Sequence, residues 1–183
     1  MPGTSGELYS PSVKGKQLPT VQVFGLDPAG QTILWPLGSR LFDELTGTIY
    51  KYVKAGGTIT ANQNCAYTDA TGTVVSACPA TAAGCAARAG VYSAVGATAP
   101  GASAVANDYF WMAVEGPALV VATGAGYILG DPVAPDVGVA GSVIEHTNAG
   151  PTAAEVTRGI NVMGFALQAE SGGKVKVYLN KLT

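Results

Sequence analysis

The residue types best suited to catalysis are a serine and a histidine in the stretch GSVIEH. Ser142 and His146 would share one face of a β-strand, where alternate side chains point the same way. A serine nucleophile needs a base within hydrogen-bond reach, and histidine commonly supplies it. However, the G-x-S-x-G turn that exposes such a serine is absent, and the local composition is that of an ordinary strand end. A small hydrolase is therefore the last of three functional hypotheses.

Two carboxylates in GDPVAPD are a candidate acid-base pair or cation site. Asp131 and Asp136 each lie beside a proline, Pro132 or Pro135. Proline and aspartate are typical of turns, because proline fixes φ and the aspartate side chain bonds to nearby backbone. The sequence thus favours two acidic turn residues that bound a short extended piece.

Three cysteines, Cys65, Cys78 and Cys85, form an odd and widely spaced set. A disulfide framework favours an even count, and a zinc site favours a C-x-x-C pair or nearby histidines. His146 is the only histidine and lies far away in sequence. We therefore expect reduced, buried cysteines, with no metal and no cofactor.

Two glycine-containing stretches resemble anion-binding or nucleotide-binding loops. In KYVKAGGTITANQ, Lys51 and Lys54 precede Gly56 and Gly57, but a phosphate-binding loop leads into a helix, and here strand-like TIT follows. This favours a corner between strands, with backbone freedom at the glycines and the lysines on a solvated or interface-facing edge strand. GAGYILG lacks the third glycine of a dinucleotide fingerprint.

The aromatic run Tyr109, Phe110 and Trp111 is a further candidate site, because such rings stack on sugars or bases. Alternate residues of a strand point opposite ways, so at most some of these rings share a surface. An aromatic run on an apolar strand is more typical of a core. A glycan- or receptor-binding module that uses Trp111 is the second functional hypothesis.

The composition limits the classes of partner. Of the 183 residues, 12% are charged, against roughly 25% in an average soluble domain. The net charge of -2, without a lysine or arginine cluster, argues against nucleic-acid binding. No stretch has the pattern of a signal peptide or the length of a bilayer-spanning helix, so we expect no membrane partner and synthesis in the cytoplasm. We expect this weakly charged surface to be covered by partners.

Short β-rich runs separated by Gly, Pro, Asn or Asp dominate from residue 47 onward and predict an all-β fold, with YFWMAVE, ALVVAT and YIL among the separate predicted strands. We expect a small antiparallel β-barrel or sandwich over residues 47–183, with an inserted loop at about 77–90. In KVKVYL, Lys174, Lys176 and Tyr178 alternate with apolar residues, which predicts a half-buried strand. The preceding INVMGFALQ and Gly172-Gly173 complete a predicted hairpin.

Residues 1–46 are expected to form an extended arm with a short hairpin over 21–35, in which the turn LDPAG joins VQVFG to QTILW. Near its end, Ser39–Leu45 is compatible with one or two helical turns. Thr152 and Glu155 match a capping box, so a helical turn or a turn-rich loop is expected there.

Three segments carry a family resemblance: YKYVKAGGTITANQNCAYTD, then YILGDPV with GVAGSV, then INVMGFALQAESGGKVKVYL. In their order, these segments resemble the small capsid decoration, or cement, proteins of tailed bacteriophages. They cover 50–69 and 127–182, and neither the alanine-rich middle nor the N-terminal arm belongs to the shared pattern. The family has no catalytic residues, so none is transferred.

The resemblance implies a β-barrel or β-tulip-like body, often a homotrimer, on the outside of an icosahedral phage head. There it would bridge major capsid subunits and stabilise the shell as a virion protein. We expect the arm to make capsid or inter-subunit contacts, since extended arms can add strands to a neighbour's sheet edge. The candidate contact residues are the apolar ones of its hairpin: Val21, Val23, Phe24, Leu26, Ile33 and Trp35.

Overall fold

The computed structural model describes residues 36–81, 88–92, 103–124, 126–146 and 162–180. Within these ranges all regular structure is β-strand, which confirms the predicted all-β class. The twelve strands are β1 Arg40–Asp43, β2 Thr48–Ala55, β3 Ile59–Thr60, β4 Asn64–Tyr67, β5 Val74–Ala77, β6 Arg88–Val91, β7 Ser103–Ala104, β8 Tyr109–Val121, β9 Pro132–Pro135, β10 Val143–Glu145, β11 Gly164–Ala166 and β12 Lys174–Leu179.

The first half of the body is a closed five-stranded barrel. Its strands run in the order β2-β5-β4-β6-β8, and β8 pairs back to β2. All four residues of strand β1 pair antiparallel with the first half of β2, from Arg40 opposite Lys51 to Asp43 opposite Thr48. β3 and β7 form a separate two-stranded sheet. The sequence suits this barrel, because β2 and β8 are rich in the β-branched and aromatic residues that favour pleated, half-buried strands.

The second half of the body begins with the C-terminal part of β8. Strand β8 has 13 residues, and its last part pairs with β12 from Gly116 opposite Leu179 to Val121 opposite Lys174. The order then continues β12-β11-β9-β10. A single bridge between Ala122 and Val143 brings β10 back to the end of β8. Strand β8 is therefore shared by two adjoining rings of strands.

One continuous apolar core runs through both rings. Phe110 and Met112 on β8 are fully buried, as are Val175 and Val177 on β12. The alternation on β12 agrees with the predicted half-buried strand, since Lys176 and Tyr178 are exposed.

The predicted terminal hairpin is confirmed. β11 pairs antiparallel with β12, and Gly172 and Gly173 in the connecting turn have φ values of 61° and 72°. These are left-handed conformations that favour glycine.

The structure corrects several expectations. The barrel is not wholly antiparallel, because β2 and β5 run parallel, with Lys54 opposite Val74. The helical turns expected over Ser39–Leu45 were wrong, since this stretch contains β1 and a turn. The inserted loop predicted at about 77–90 is wrong at its end, where Arg88–Val91 forms barrel strand β6.

The boundaries of two predicted strands also differ. YFWMAVE and ALVVAT were expected as separate strands, but they form the single strand β8. Tyr127–Leu129 was expected as a strand and is irregular. The capping box at Thr152 and Glu155 and the hairpin at 21–35 lie outside the described residues.

Gly116 is the point at which β8 passes from the first ring to the second. Its φ is 89°, and a Cβ there would clash with the carbonyl oxygen of Gly47 and lie 2.9 Å from the Cα of Thr48. Only glycine therefore allows β8 to pass so close to the β1–β2 turn.

We predict that Gly116→Ala destabilises the fold by on the order of 3 kcal/mol, because it adds both backbone strain and a backbone clash. The matched control is Gly57→Ala, where a Cβ meets nothing within 4 Å and φ is not positive. That control should change the free energy of unfolding by less than about 1 kcal/mol. Urea unfolding followed by tryptophan fluorescence measures both, and equal midpoints would contradict the prediction.

Candidate interaction surface

Ser142 and His146 flank β10, and the serine hydroxyl is used within its own turn. Ser142 is buried, and its hydroxyl donates a 2.8 Å hydrogen bond to the carbonyl oxygen of Val139. The backbone N–H of His146 donates to the carbonyl oxygen of Pro132, also at 2.8 Å. These contacts fix the ends of a short strand, which agrees with the ordinary strand end that the local composition predicted.

Asp131 and Asp136 act as turn residues, as predicted. The Asp131 carboxylate accepts a 2.7 Å hydrogen bond from the backbone N–H of Ile128. The Asp136 carboxylate accepts one from the N–H of Gly138 at 2.7 Å and another from the hydroxyl of Thr123. Both carboxylates therefore serve to close local turns.

Cys65 and Cys78 are reduced and buried, which confirms the prediction for these two, whereas Cys85 lies outside the described residues. Burial raises the pKa of the Cys65 thiol to about 12, because the thiolate would lose its hydration. Within the described ranges no group of three or more His, Cys, Asp or Glu side chains could hold a metal ion. In the same ranges no helix has the length and apolar character needed to cross a bilayer.

The stretch KYVKAGGTITANQ is a corner between β2 and β3, as predicted, but the reason given for its glycines was wrong. Neither Gly56 nor Gly57 has a positive φ. Gly56 lies in a tight space instead, because a Cβ there would be 3.1 Å from Cγ1 of Val74. Its N–H also donates a 2.7 Å hydrogen bond to the carbonyl oxygen of Val75. Small size, and not backbone freedom, is what this position requires.

The edge-strand interpretation of Lys51 and Lys54 was also wrong. Strand β2 has paired strands on both sides. The Lys51 ammonium donates a 3.0 Å hydrogen bond to the hydroxyl of Tyr67 and lies 4.7 Å from the centre of that ring. Lys51 therefore makes its contact within the chain.

The aromatic run on β8 belongs to the core. Trp111 is 6% exposed, and its ring centroid lies 5.1 Å from that of Tyr52. Phe110 packs edge-on against Tyr92 with centroids 4.7 Å apart. These rings offer no open face on which a sugar could stack, so the second functional hypothesis loses the residue on which it was based.

The six candidate contact residues of the arm lie outside the described residues. They are Val21, Val23, Phe24, Leu26, Ile33 and Trp35. Their proposed role stays a prediction.

A row of apolar side chains crosses the outer face of the second ring. Tyr178 on β12 lies opposite Pro117 on one side and Phe165 on the other, and Phe165 lies opposite Pro132. Directly opposed residues of antiparallel strands project from the same face of a sheet. Phe165 and Tyr178 are 44% and 46% exposed. We call Pro117, Pro132, Phe165 and Tyr178 the apolar row.

Two cations accompany the apolar row. Lys174 and Lys176 alternate with buried valines on β12, so they lie on the same face as Tyr178. Within the described residues, neither lysine side chain makes a hydrogen bond or ion pair. The outward side of β12 is thus apolar and basic.

The β1–β2 turn also carries exposed apolar side chains, but its charges are negative. Phe42 is 54% exposed and Leu45 is 75% exposed, and the acidic residues Asp43 and Glu44 lie between them. The Asp43 carboxylate accepts hydrogen bonds from the N–H of Leu45 and the hydroxyl of Thr46, which holds the turn in shape. We call Phe42–Leu45 the acidic tip.

Sequence reasoning placed Tyr178 beside the two lysines but missed Phe165, Phe42 and Leu45. The alternation in KVKVYL is a local signal that the sequence shows directly. For Phe165, the short strand GFA offers only one alternation, so its exposure depends on pairing with β12 and β9.

Comparison with known proteins gives little further information. No family model matches the chain, and no curated protein matches it. Among solved structures, the chain is similar to the crystal structure of the N base of head fiber gp8.5 of bacteriophage phi29, with 15% identity and a TM-score of 0.42. That match covers 74% of this chain and 98% of the other. Similarity at this level assigns neither a family nor a function.

We predict that the stability of the protein changes little between pH 7 and 9 and falls between pH 9 and 12. Burial raises the pKa of the Cys65 thiol from 9.0 and those of Tyr52, Tyr92 and Tyr127 from 10.0, in each case to about 12. The unfolded chain therefore loses these protons first, which favours unfolding as the pH rises through this window. Denaturant midpoints at pH 7, 9, 10 and 11 test this, and a flat profile would contradict it.

Proposed function

We propose that the chain is a structural protein of a tailed-bacteriophage virion that decorates the outer surface of the icosahedral head. In this role it bridges neighbouring major capsid subunits and stabilises the shell. The observation that carries the proposal is the combination of a well-packed barrel core with eight exposed large apolar side chains among the described residues. Contiguous exposed apolar residues are typical of protein–protein contact surfaces.

The apolar row supports this role because its four residues adjoin one another across four neighbouring strands, β9, β11, β12 and β8. Scattered exposed apolar residues are normal on any protein, but a contiguous row is not. Burying apolar surface contributes about 25 cal/mol per Å². A rigid body with such a row can bind protein neighbours without large ordering costs.

The order of the segments that resemble decoration proteins also supports the proposal. The first segment corresponds to β2, β3 and β4, the second includes the turn before β9, and the third corresponds to the β11–β12 hairpin. The resemblance therefore covers strands that build both rings. On this proposal the protein has no catalytic role and needs no cofactor, and its partners are the major capsid protein and further copies of itself, in the family often as a homotrimer.

The protein composition of purified phage particles tests the proposal directly. We expect this chain in near-stoichiometric amounts with a major shell protein, because decoration proteins occupy repeated sites on the shell. Its absence from the particles would overturn the proposal.

The contribution of the arm has a separate test. We predict that Phe24→Asp and Ile33→Asp each reduce attachment to shells at least tenfold, because a buried carboxylate would cost several kcal/mol at an apolar contact. Thr32→Asp, next to Ile33 and so on the opposite face of the same predicted strand, is the matched control for Ile33→Asp. Co-sedimentation of the protein with undecorated shells measures the effect. Full occupancy with all three variants would show that the arm does not bind.

A further inference from the structure

Asn64, the first residue of β4, buries a side-chain amide that has no partner in the described part of the chain. The residue is 0% exposed, and both its Nδ2 and its Oδ1 lack a hydrogen bond there. The Nη1 of Arg88 on β6 is also buried and unpaired within the same ranges. Buried polar groups in folded proteins are nearly always hydrogen-bonded, because an unpaired one loses its hydration without compensation.

Asn64 and Arg88 lie on the same side of the first ring. Ala66 lies opposite Arg88, and directly opposed residues project from one face of a sheet. Ala66 and Asn64 are two residues apart on β4, so their side chains share that face. It is the face away from the main core, since Cys65 belongs to that core and Ala66 to a separate small cluster.

The two polar side chains are within reach of a shared ligand. The pairing of β4 with β6 shifts by one residue between Cys65 and Ala66, so Arg88 is the diagonal neighbour of Asn64. Diagonal neighbours on paired strands have Cα atoms about 7–8 Å apart, a separation that long side chains span.

Residues 137–141, between β9 and β10, cover this face from the second ring. Val137 packs against Ala66 and Cys78. The N–H of Asn64 donates a 2.7 Å hydrogen bond to the carbonyl oxygen of Gly141, and the N–H of Gly141 donates one of 2.8 Å to that of Cys78. The N–H of Cys78 donates in turn to the carbonyl oxygen of Asn64, also at 2.8 Å. These backbone groups are thus bonded to one another, and the Asn64 amide needs a different partner.

The unpaired atoms define the chemistry of that partner. It must accept hydrogen bonds from Nδ2 of Asn64 and Nη1 of Arg88, and it must donate one to Oδ1 of Asn64. A halide or carboxylate ion cannot donate, and a metal cation cannot accept and would be repelled by the guanidinium. Water does both, and internal water commonly completes the bonding of buried polar groups.

We infer that internal water bridges the Asn64 amide and the Arg88 guanidinium, in a polar site between the first ring and residues 137–141. The water completes the hydrogen bonding at this junction of the two rings. Arg88 is half-buried, so it forms the solvent-side wall of the site, whereas Asn64 forms its buried floor.

A high-resolution crystal structure of the full-length protein tests the inference without any variant. We expect ordered water at hydrogen-bonding distance, about 2.7–3.2 Å, from both the Asn64 amide and Nη1 of Arg88. The inference is overturned if the amide bonds only to protein groups, if the space is dry, if an ion occupies it, or if the water contacts Asn64 alone.

Water magnetic relaxation dispersion gives an independent test in solution, because it counts the water molecules that stay within a protein longer than its tumbling time. Asn64→Leu keeps a similar volume but removes both polar atoms, and Arg88→Met removes Nη1. Each variant, once far-UV circular dichroism shows that it is folded, should hold at least one long-lived water fewer than the unchanged protein.

The matched control is Asn180→Leu, an exposed asparagine after β12. It should keep the number of long-lived waters of the unchanged protein. An unchanged number in a folded Asn64→Leu or Arg88→Met variant, or an equal loss in the control, would contradict the assignment of the water to this site.

Discussion

The architecture depends on the sharing of β8 between two rings of strands. The first part of this strand closes the five-stranded barrel against β2, and its last part is the starting strand for β12, β11, β9 and β10. The transition requires β8 to pass close to the β1–β2 turn, and Gly116 makes that approach possible. Strand β8 pairs with β2 in the first ring and with β12 in the second. A one-residue shift of β8 would therefore change the register of its pairing in both rings.

The same strand connects the acidic tip to the apolar row. Glu115 and Pro117 lie on its outer face, between the acidic tip and the exposed residues of β12. Side chains on paired strands keep fixed positions relative to one another, because backbone hydrogen bonds set their spacing. The tip and the row are therefore held as a single rigid pattern, and little conformational entropy is lost when a partner binds.

The sequence predicted those parts of the fold that depend on local signals. The β11–β12 hairpin follows from the alternation in KVKVYL and from Gly172-Gly173, which lie within a few residues of each other. The parallel pairing of β2 with β5 could not be predicted in this way, because it joins Lys54 to Val74 through long-range contacts. The sequence predicted two strands in place of β8, because Gly116-Pro117 is typical of a break. In the structure, tertiary contacts keep the strand continuous. For Ser39–Leu45, pairing with β2 outweighed a weak helical preference.

Surfaces are harder to derive from sequence than elements, because exposure depends on which strands become neighbours. Phe165 and Phe110 are the same residue type and both lie on β-strands, yet one is exposed and the other is fully buried. With only 12% charged residues, the chain has few groups that could direct an encounter with a partner. Lys174, Lys176 and Glu44 adjoin exposed apolar side chains, where charges affect orientation more than affinity. We therefore assign affinity to the apolar contacts and the choice of partner surface to these few charges.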